Sequence, residues 1–307
     1  MPSRVSADEI LAAARAVTVT FQGLPDVPLP LANAQSMGAA ERQGIADRYD
    51  RHGFVVMQLP PGTLTPDTVL ALAAALGLGE PLVPVLYRLN CSPPNPVARI
   101  SAALNAGTAD AGHPSFGRTV NQQLHCDGTL QDIGYVKASL LLCACPAAHG
   151  GDTLLFNASA AYAELASIDV RAAAALATPG ALIRQANINN CDDLNAGPAF
   201  AVQDGRLVCR YCVTETDRWA VPRGATAADL QRGVDFLRAA ALPGSPHFAH
   251  LRLEAGQAIL LDNTRISHGR TAYKDSPTQQ RCLYRSLHVC HPGGSTLRER
   301  GPSPSAP

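Results

Sequence analysis

Net charge is the first thing this sequence lacks. Over 307 residues, 25 Lys and Arg balance 25 Asp and Glu, and the pI is near 7.1. Such a chain has no one-signed field to concentrate nucleic acid or an anionic membrane surface, so a general binder of either kind is excluded. No apolar run approaches the roughly 20 residues that a membrane-crossing helix needs. A signal peptide is not evident either, since Asp8 and Glu9 stand where an apolar segment would be. The nine cysteines are odd in number and scattered, unlike a disulfide framework. A reduced, cytoplasmic protein follows as the expectation. Internal repeats and linker-like stretches are also missing, which argues for one domain rather than an array.

What is present is a chain with 46% hydrophobic residues, enough for a sizeable core. Ser6 before Glu9 fits a capping box opening an amphipathic helix. The stretch 37–60 reads as a helix, then Gly53, then a buried strand, and 66–81 as a second helix. Residues 87–116, rich in Pro, Asn and Ser, read as loop. Short strands follow near 117–127, 137–145, 152–156, 181–188, 206–213, 257–262, 265–272 and 280–290. Helices interrupt them at about 158–177 and 226–240. Short strands with polar turns suggest a sandwich or barrel rather than a parallel sheet. The fold class expected is mainly β with flanking helices, in one domain over 1–290 whose β core spans about 117–290. Residues 291–307 have the composition of a flexible tail.

The chemistry concentrates in a few stretches. In NQQLHCDGT (121–129), His125 and Asp127 alternate, so both point to one face of a strand. Far along the chain, AILLDNTRISHGR places His268 just after an apolar strand. Two histidines and one carboxylate are the facial set of non-haem Fe(II) oxygenases, which leaves coordination positions open. Taken alone, the H-x-D pair reads more readily as a solvated strand histidine near an aspartate. Arg281 and Arg285 in QRCLYRSLHV share a face with Leu283, Leu287 and Val289. An arginine on an apolar face needs an anion, which can be a bound carboxylate or an internal salt-bridge partner. HGGDTLLFN places Thr153 at the entry of a strand after two glycines, a pattern that a plain hairpin turn also explains.

Together these blocks, HCDGT, GGDTLLFN, DNTRISHGRTAY and RCLYR, occur in order over roughly 120–290. They resemble the taurine dioxygenase and clavaminate synthase-like superfamily of Fe(II)- and 2-oxoglutarate-dependent oxygenases. The resemblance implies a double-stranded β-helix, a distorted jelly roll. It implies that His125, Asp127 and His268 ligate iron, and that Arg281 binds the distal carboxylate of 2-oxoglutarate with help from Thr153. Arg285 would lie near the other carboxylate or the substrate. Dioxygen is the second cosubstrate, and hydroxylation the default outcome. Desaturation or oxidative cyclisation can come from the same oxidant. Halogenation is disfavoured, because related halogenases replace the carboxylate that Asp127 supplies here. A non-catalytic jelly-roll binding protein would need no anchor for 2-oxoglutarate.

Substrate identity does not carry over. Asn121 and Gln123 alternate with His125 and are expected on its face. Asn187, Asn190 and Asp192 in RQANINNCDDLNAG, with Glu215 and Asp217 in RYCVTETDRW, sit in long polar segments read as insertions over the iron. They suggest a small polar metabolite with an amine or guanidine, an amino acid or an amino-acid-derived natural-product intermediate. Solvated lid residues are the plainer reading of these acids. The C-x-C of Cys143 and Cys145 and the C-x-x-C of Cys209 and Cys212 read as small buried hydrophobes rather than zinc ligands. Cys126, between two expected ligands, should point away from the metal.

Overall fold

The computed structural model describes residues 6–62, 64–84, 96–106, 117–186 and 191–293. Along the chain, α1 (Ala7–Arg15), β1 (Leu29–Pro30), α2 (Ala39–His52), β2 (Phe54–Gln58) and α3 (Pro66–Ala75) come first. They are followed by β3 (Pro81–Leu82), β4 (Ala98–Ile100), α4 (Ala102–Asn105), β5 (Gln122–His125), β6 (Ala138–Cys145), β7 (His149–Gly150) and β8 (Thr153–Phe156). Next are α5 (Ala158–Ile168), α6 (Val170–Leu176), β9 (Leu182–Gln185), β10 (Leu194–Gly197), β11 (Phe200–Gln203), β12 (Arg206–Cys209) and β13 (Asp217–Trp219). The last are α7 (Ala227–Ala240), β14 (Phe248–Leu251), β15 (Gln257–Asp262), β16 (Ser267–Arg270), β17 (Tyr273–Lys274) and β18 (Cys282–His288).

Local chemistry explains several boundaries. The Ser6 hydroxyl accepts from Glu9 N–H while the Glu9 carboxylate accepts from Ser6 N–H, the reciprocal cap that the sequence suggested. Helix α2 stops at Gly53, which takes a left-handed φ of 72°. The chain then turns straight into β2.

Two sheets carry the site. The larger has the order β1-β2-β15-β6-β18-β3, with β4 also on β18; the smaller has the order β14-β8-β16-β5. Their facing sides share one apolar cluster, including Phe54, Ile259 and Leu261 from the larger sheet and Leu155, Ala249 and Ile266 from the smaller sheet and its border. Strand alternation then sorts the other faces. Val55, Met57, Leu140, Leu142, Ala258 and Leu260 turn outward onto α2 and α3. Leu124, Cys126 and Phe156 turn outward onto a cluster with α1, α5, α6 and α7. Both sheets are thus covered, which is why 258–261 reads as an unbroken apolar run. The result is a sheet-rich fold with helices, as expected.

Four expectations need correction. Residues 291–293, assigned to a tail, are anchored: His291 Nδ1 lies 3.0 Å from the Tyr49 hydroxyl, and Gly293 N–H donates to Leu76 O. Residues 294–307 lie outside the described residues. Within the expected loop 87–116, the described part 96–106 holds β4 and α4. Val289, placed on the apolar face with Arg281, is 38% exposed because β18 ends at His288. The polar segments 184–197 and 210–219 are not plain insertions. Strands β9, β10 and β13 inside them pair as a small sheet in the order β10-β9-β13.

Candidate metal centre

His125 and Asp127 occupy the inward positions of the strand that the outward Leu124 and Cys126 fix against the helices. Cys126 does point away, with its Sγ 3.3 Å from the Ser267 hydroxyl. His268 lies directly opposite His125 in the β16–β5 register. Their ring centroids are 4.5 Å apart, and ligand atoms of His125, Asp127 and His268 all fall within 4.8 Å of one another. No other such cluster of His, Cys, Asp or Glu occurs among the described residues.

Beyond this pair the register slips. Arg270 pairs with Gln122, so β5 bulges against β16. Gly269 makes the close approach feasible, because a Cβ there would lie 2.7 Å from Gln122 O. The bulge also breaks the alternation that the sequence reading assumed. Gln122, not Gln123, turns inward, with its amide nitrogen 3.4 Å from His125 Nε2. Asn121 and Gln123 are exposed, which corrects their placement on the histidine's face.

Protonation states follow from the partners. His125 Nδ1 is 2.9 Å from Gln123 O. A carbonyl only accepts, so Nδ1 carries the proton and Nε2 keeps its lone pair for a metal. Burial lowers the His125 pKa; burial, then the neighbouring His125, pushes His268 down to about 3. Both rings are therefore neutral. For Asp127 burial works toward a raised pKa, but Arg285 and the two histidines outweigh it and hold the carboxyl well below the usual range. Arg285 Nη1 donates to Oδ1 at 2.6 Å, and the Ser139 hydroxyl to Oδ2 at 2.7 Å. Two neutral imidazoles and one fixed carboxylate, with His268 Nε2 3.5 Å from Asp127 Oδ2, form a donor set suited to a divalent transition metal with open positions.

Apart from Arg285, the sequence did not single out the residues that position Asp127. Asn263 accepts from Asp127 N–H through Oδ1 at 2.7 Å and donates to Asp127 O at 3.1 Å, clamping both sides of its backbone. Arg184 Nη1 donates to Cys126 O at 3.0 Å and Gly128 O at 3.4 Å. Asn263 stood inside a recognisable block, but Arg184 and Ser139 carry no local signal. Arg184 also corrects the reading of Asp217. That carboxylate lies 3.5 Å from Arg184 Nε with both side chains buried, so it is an internal counter-charge rather than a group facing substrate. Glu215 and Asp192 are exposed. Asn187 and Asn190 lie outside the described residues.

A second polar group is built around Arg281. Arg281 and Thr153 line one narrow pocket with Cys143, Gly151 and Leu283. Arg281 is 5% exposed, and its Nη1 has no hydrogen-bond partner among the described residues. Burial lowers its pKa despite the nearby Tyr273. A buried, incompletely paired guanidinium is a receptor for a planar carboxylate. Gly151 leaves the space, since a Cβ there would sit 3.1 Å from Arg281 Nε. Arg285, by contrast, is already engaged with Asp127.

A sheet-rich fold that gathers His125, Asp127 and His268 within ligand distance of one another fits a non-haem iron dioxygenase that uses 2-oxoglutarate. The comparisons agree. Residues 17–290 match the model of the family described as taurine catabolism dioxygenase TauD, TfdA family, and the chain belongs to that family. It is 39% identical over 252 residues to a uridine-5'-phosphate dioxygenase of an Amycolatopsis species, covering 82% of this chain and 90% of that protein. Among solved structures, an asparagine oxygenase bound to Fe(II), 3-hydroxyasparagine and succinate superposes with a TM-score of 0.60 at 14% identity, over 92% of this chain and 90% of that one. The non-heme iron oxygenase OrfP, bound to Fe and alpha-ketoglutaric acid, gives 0.57 at 17%, over 82% and 80%. At these identities the two structures share the fold.

Proposed function

We propose that this dioxygenase binds one Fe(II) through His125, Asp127 and His268, anchors 2-oxoglutarate through Arg281 and Thr153, and oxidises a uridine nucleotide 5'-phosphate. The observation that carries the substrate is the 39% identity to a relative named for it, over most of both chains. The charge of the site supports the same reading. Three buried arginines, Arg270, Arg281 and Arg285, belong to the inward-facing positions of β16, β18 and their border, whereas Asp127 is the buried carboxylate among them. Such a balance favours two anionic guests, a dicarboxylate and a phosphate ester, over a cationic one. The acids once assigned to a cationic substrate are paired or solvent-facing.

Iron with 2-oxoglutarate and dioxygen supplies an oxidant able to take hydrogen from an unactivated C–H bond. The chain's own residues do the rest. Asn263, Ser139 and Arg285 fix the carboxylate ligand, Gln123 O sets the His125 tautomer, and Arg281 orients the cosubstrate. Hydroxylation is the reading adopted, and desaturation or cyclisation depends on which substrate C–H bond faces the metal. A second reading, an amino acid or amino-acid-derived intermediate, rests on the fold shared with asparagine oxygenase. We read the architecture as one double-stranded β-helix domain over 1–290. The eight described cysteines are free, which suits a reducing compartment, the cytoplasm, where Fe(II) is kept reduced.

The test is succinate formation by the purified protein with Fe(II), 2-oxoglutarate and either uridine 5'-phosphate, uridine, asparagine or arginine. The proposal expects turnover stimulated by uridine 5'-phosphate. Stimulation by an amino acid alone would replace it with the second reading.

A further inference from the structure

Arg270 is a buried cation with unused donors; it lies opposite Thr153 in the β16–β8 register and shares the Tyr273 ring with Arg281. It sits on β16 two residues past His268, hence on the same inward face. It is 4% exposed. Its Nη2 donates to the carbonyls of Arg118 at 3.2 Å and Val120 at 2.6 Å. Its guanidinium lies 4.7 Å over the Tyr273 ring. The Tyr273 hydroxyl and the nearby Asp275 favour its charge, but no carboxylate forms an ion pair with it among the described residues. Nε and Nη1 have no hydrogen-bond partner among the described residues, and a buried guanidinium in that state is costly until an anion completes it.

The other inward arginines have their anions. Arg285 has Asp127, and Arg281, on the reading above, has the distal carboxylate of 2-oxoglutarate. Across the bulge, Gln122 pairs in register with Arg270 and brings its amide to within 3.4 Å of His125 Nε2. Two residues along a strand span about 7 Å, so Arg270 starts one short linker away from the metal ligand on its own strand.

We propose that Arg270, assisted by the amide of Gln122, is the receptor for the phosphate of the substrate. The inference rests on the nucleotide reading and deepens it: the enzyme selects a phosphorylated substrate over the free nucleoside through this side chain. A phosphate monoester offers close to two negative charges and several acceptor oxygens at neutral pH, which matches the unused Nε–H and Nη1–H donors.

The experiment measures binding of uridine 5'-phosphate and of uridine, by equilibrium dialysis without oxygen, to wild type, Arg270→Gln and Arg270→Lys, each loaded with Fe(II) and 2-oxoglutarate. Inorganic phosphate is added to wild type as a competitor. The proposal expects wild type to prefer the nucleotide and to lose it to inorganic phosphate. It expects Arg270→Gln to weaken nucleotide binding about 100-fold, the scale of losing a buried charged partner, with uridine binding and the 2-oxoglutarate KM unchanged. Arg270→Lys should fall between. A raised 2-oxoglutarate KM with the nucleotide preference intact would assign Arg270 to the cosubstrate and overturn the proposal. Wild type that binds the nucleotide with no preference over uridine overturns it while leaving the nucleotide reading standing. Wild type that turns over only unphosphorylated compounds overturns both. If Arg270→Gln fails to fold, the Lys variant and the phosphate competition decide.

Discussion

Arg285 reaches Asp127 across 2.6 Å, guanidinium nitrogen to carboxylate oxygen, with both side chains buried. The pair keeps the metal-facing carboxylate ionised before any metal arrives, and it turns Oδ2 toward His268. Such positioning partners govern metal affinity from behind the ligand. Arg285→Met should therefore weaken Fe(II) binding about 10- to 100-fold, read by anaerobic Fe(II) titration. Arg285→Lys should recover part of it as a point charge without the fork. Wild-type affinity in Arg285→Met would show that Ser139 and Asn263 suffice.

Gly269 couples the fold to the site. A methyl group there would meet Gln122 O at 2.7 Å, forcing β5 away from β16 where His125 and His268 face each other. Gly269→Ala is expected to cost about 1–3 kcal/mol of stability, as overpacking usually does, and to lower Fe(II) affinity more than other destabilising substitutions of equal size. Urea unfolding of the apoprotein alongside Fe(II) titration checks both, and loss of stability with unaltered iron affinity would count against the coupling.

Arg281→Ala removes the proposed cosubstrate anchor. The 2-oxoglutarate KM should rise by about 30-fold or more, in line with losing a buried charged partner, while the apoprotein stays folded. Arg281→Lys should be intermediate. An unchanged KM would move the anchor to another cation.

Acid sensitivity of the apoprotein follows from His288. Burial pushes its pKa from 6.5 down to about 4, and its Nε2 sits 2.8 Å from the Ser286 hydroxyl. The folded chain keeps this ring neutral while the unfolded chain protonates it below pH 6.5. Its contribution is thus fully present above that pH and is lost as the pH falls toward 4. The loss is at most about 3 kcal/mol. Urea midpoints at pH 7.5 and pH 5 should differ by less in His288→Gln than in wild type, and an equal pH dependence in the two would contradict the assignment.

Much of this was legible in the sequence because it depends on alternation and spacing. His125 and Asp127 share a face by period two, and the centre of the buried strand, 258–261, reads as apolar throughout. Arg281 stands out as a charge among hydrophobes. What escaped depends on contacts between distant segments. The β5 bulge moved Gln122 inward and Gln123 outward, which no local pattern signals. Asp217 is consumed by Arg184, 33 positions away in the chain, so a polar segment that read as a substrate-facing lid is in part a support for the metal strand. Arg270 lies within the DNTRISHGRTAY block, but a charge near a candidate metal ligand gains meaning only when its unused donors are seen.

On the proposed assignment, His125, Asp127 and His268 form one Fe(II) site that drives 2-oxoglutarate-dependent oxidation. The most direct measurement is bound iron per chain together with succinate formed with uridine 5'-phosphate, for wild type and Asp127→Ala. The account predicts one Fe(II) per wild-type chain, and a folded Asp127→Ala protein with at least about 100-fold less succinate, the scale on which metal-centred catalysis fails when an anionic ligand is lost. Normal iron loading and normal succinate formation by Asp127→Ala would contradict it.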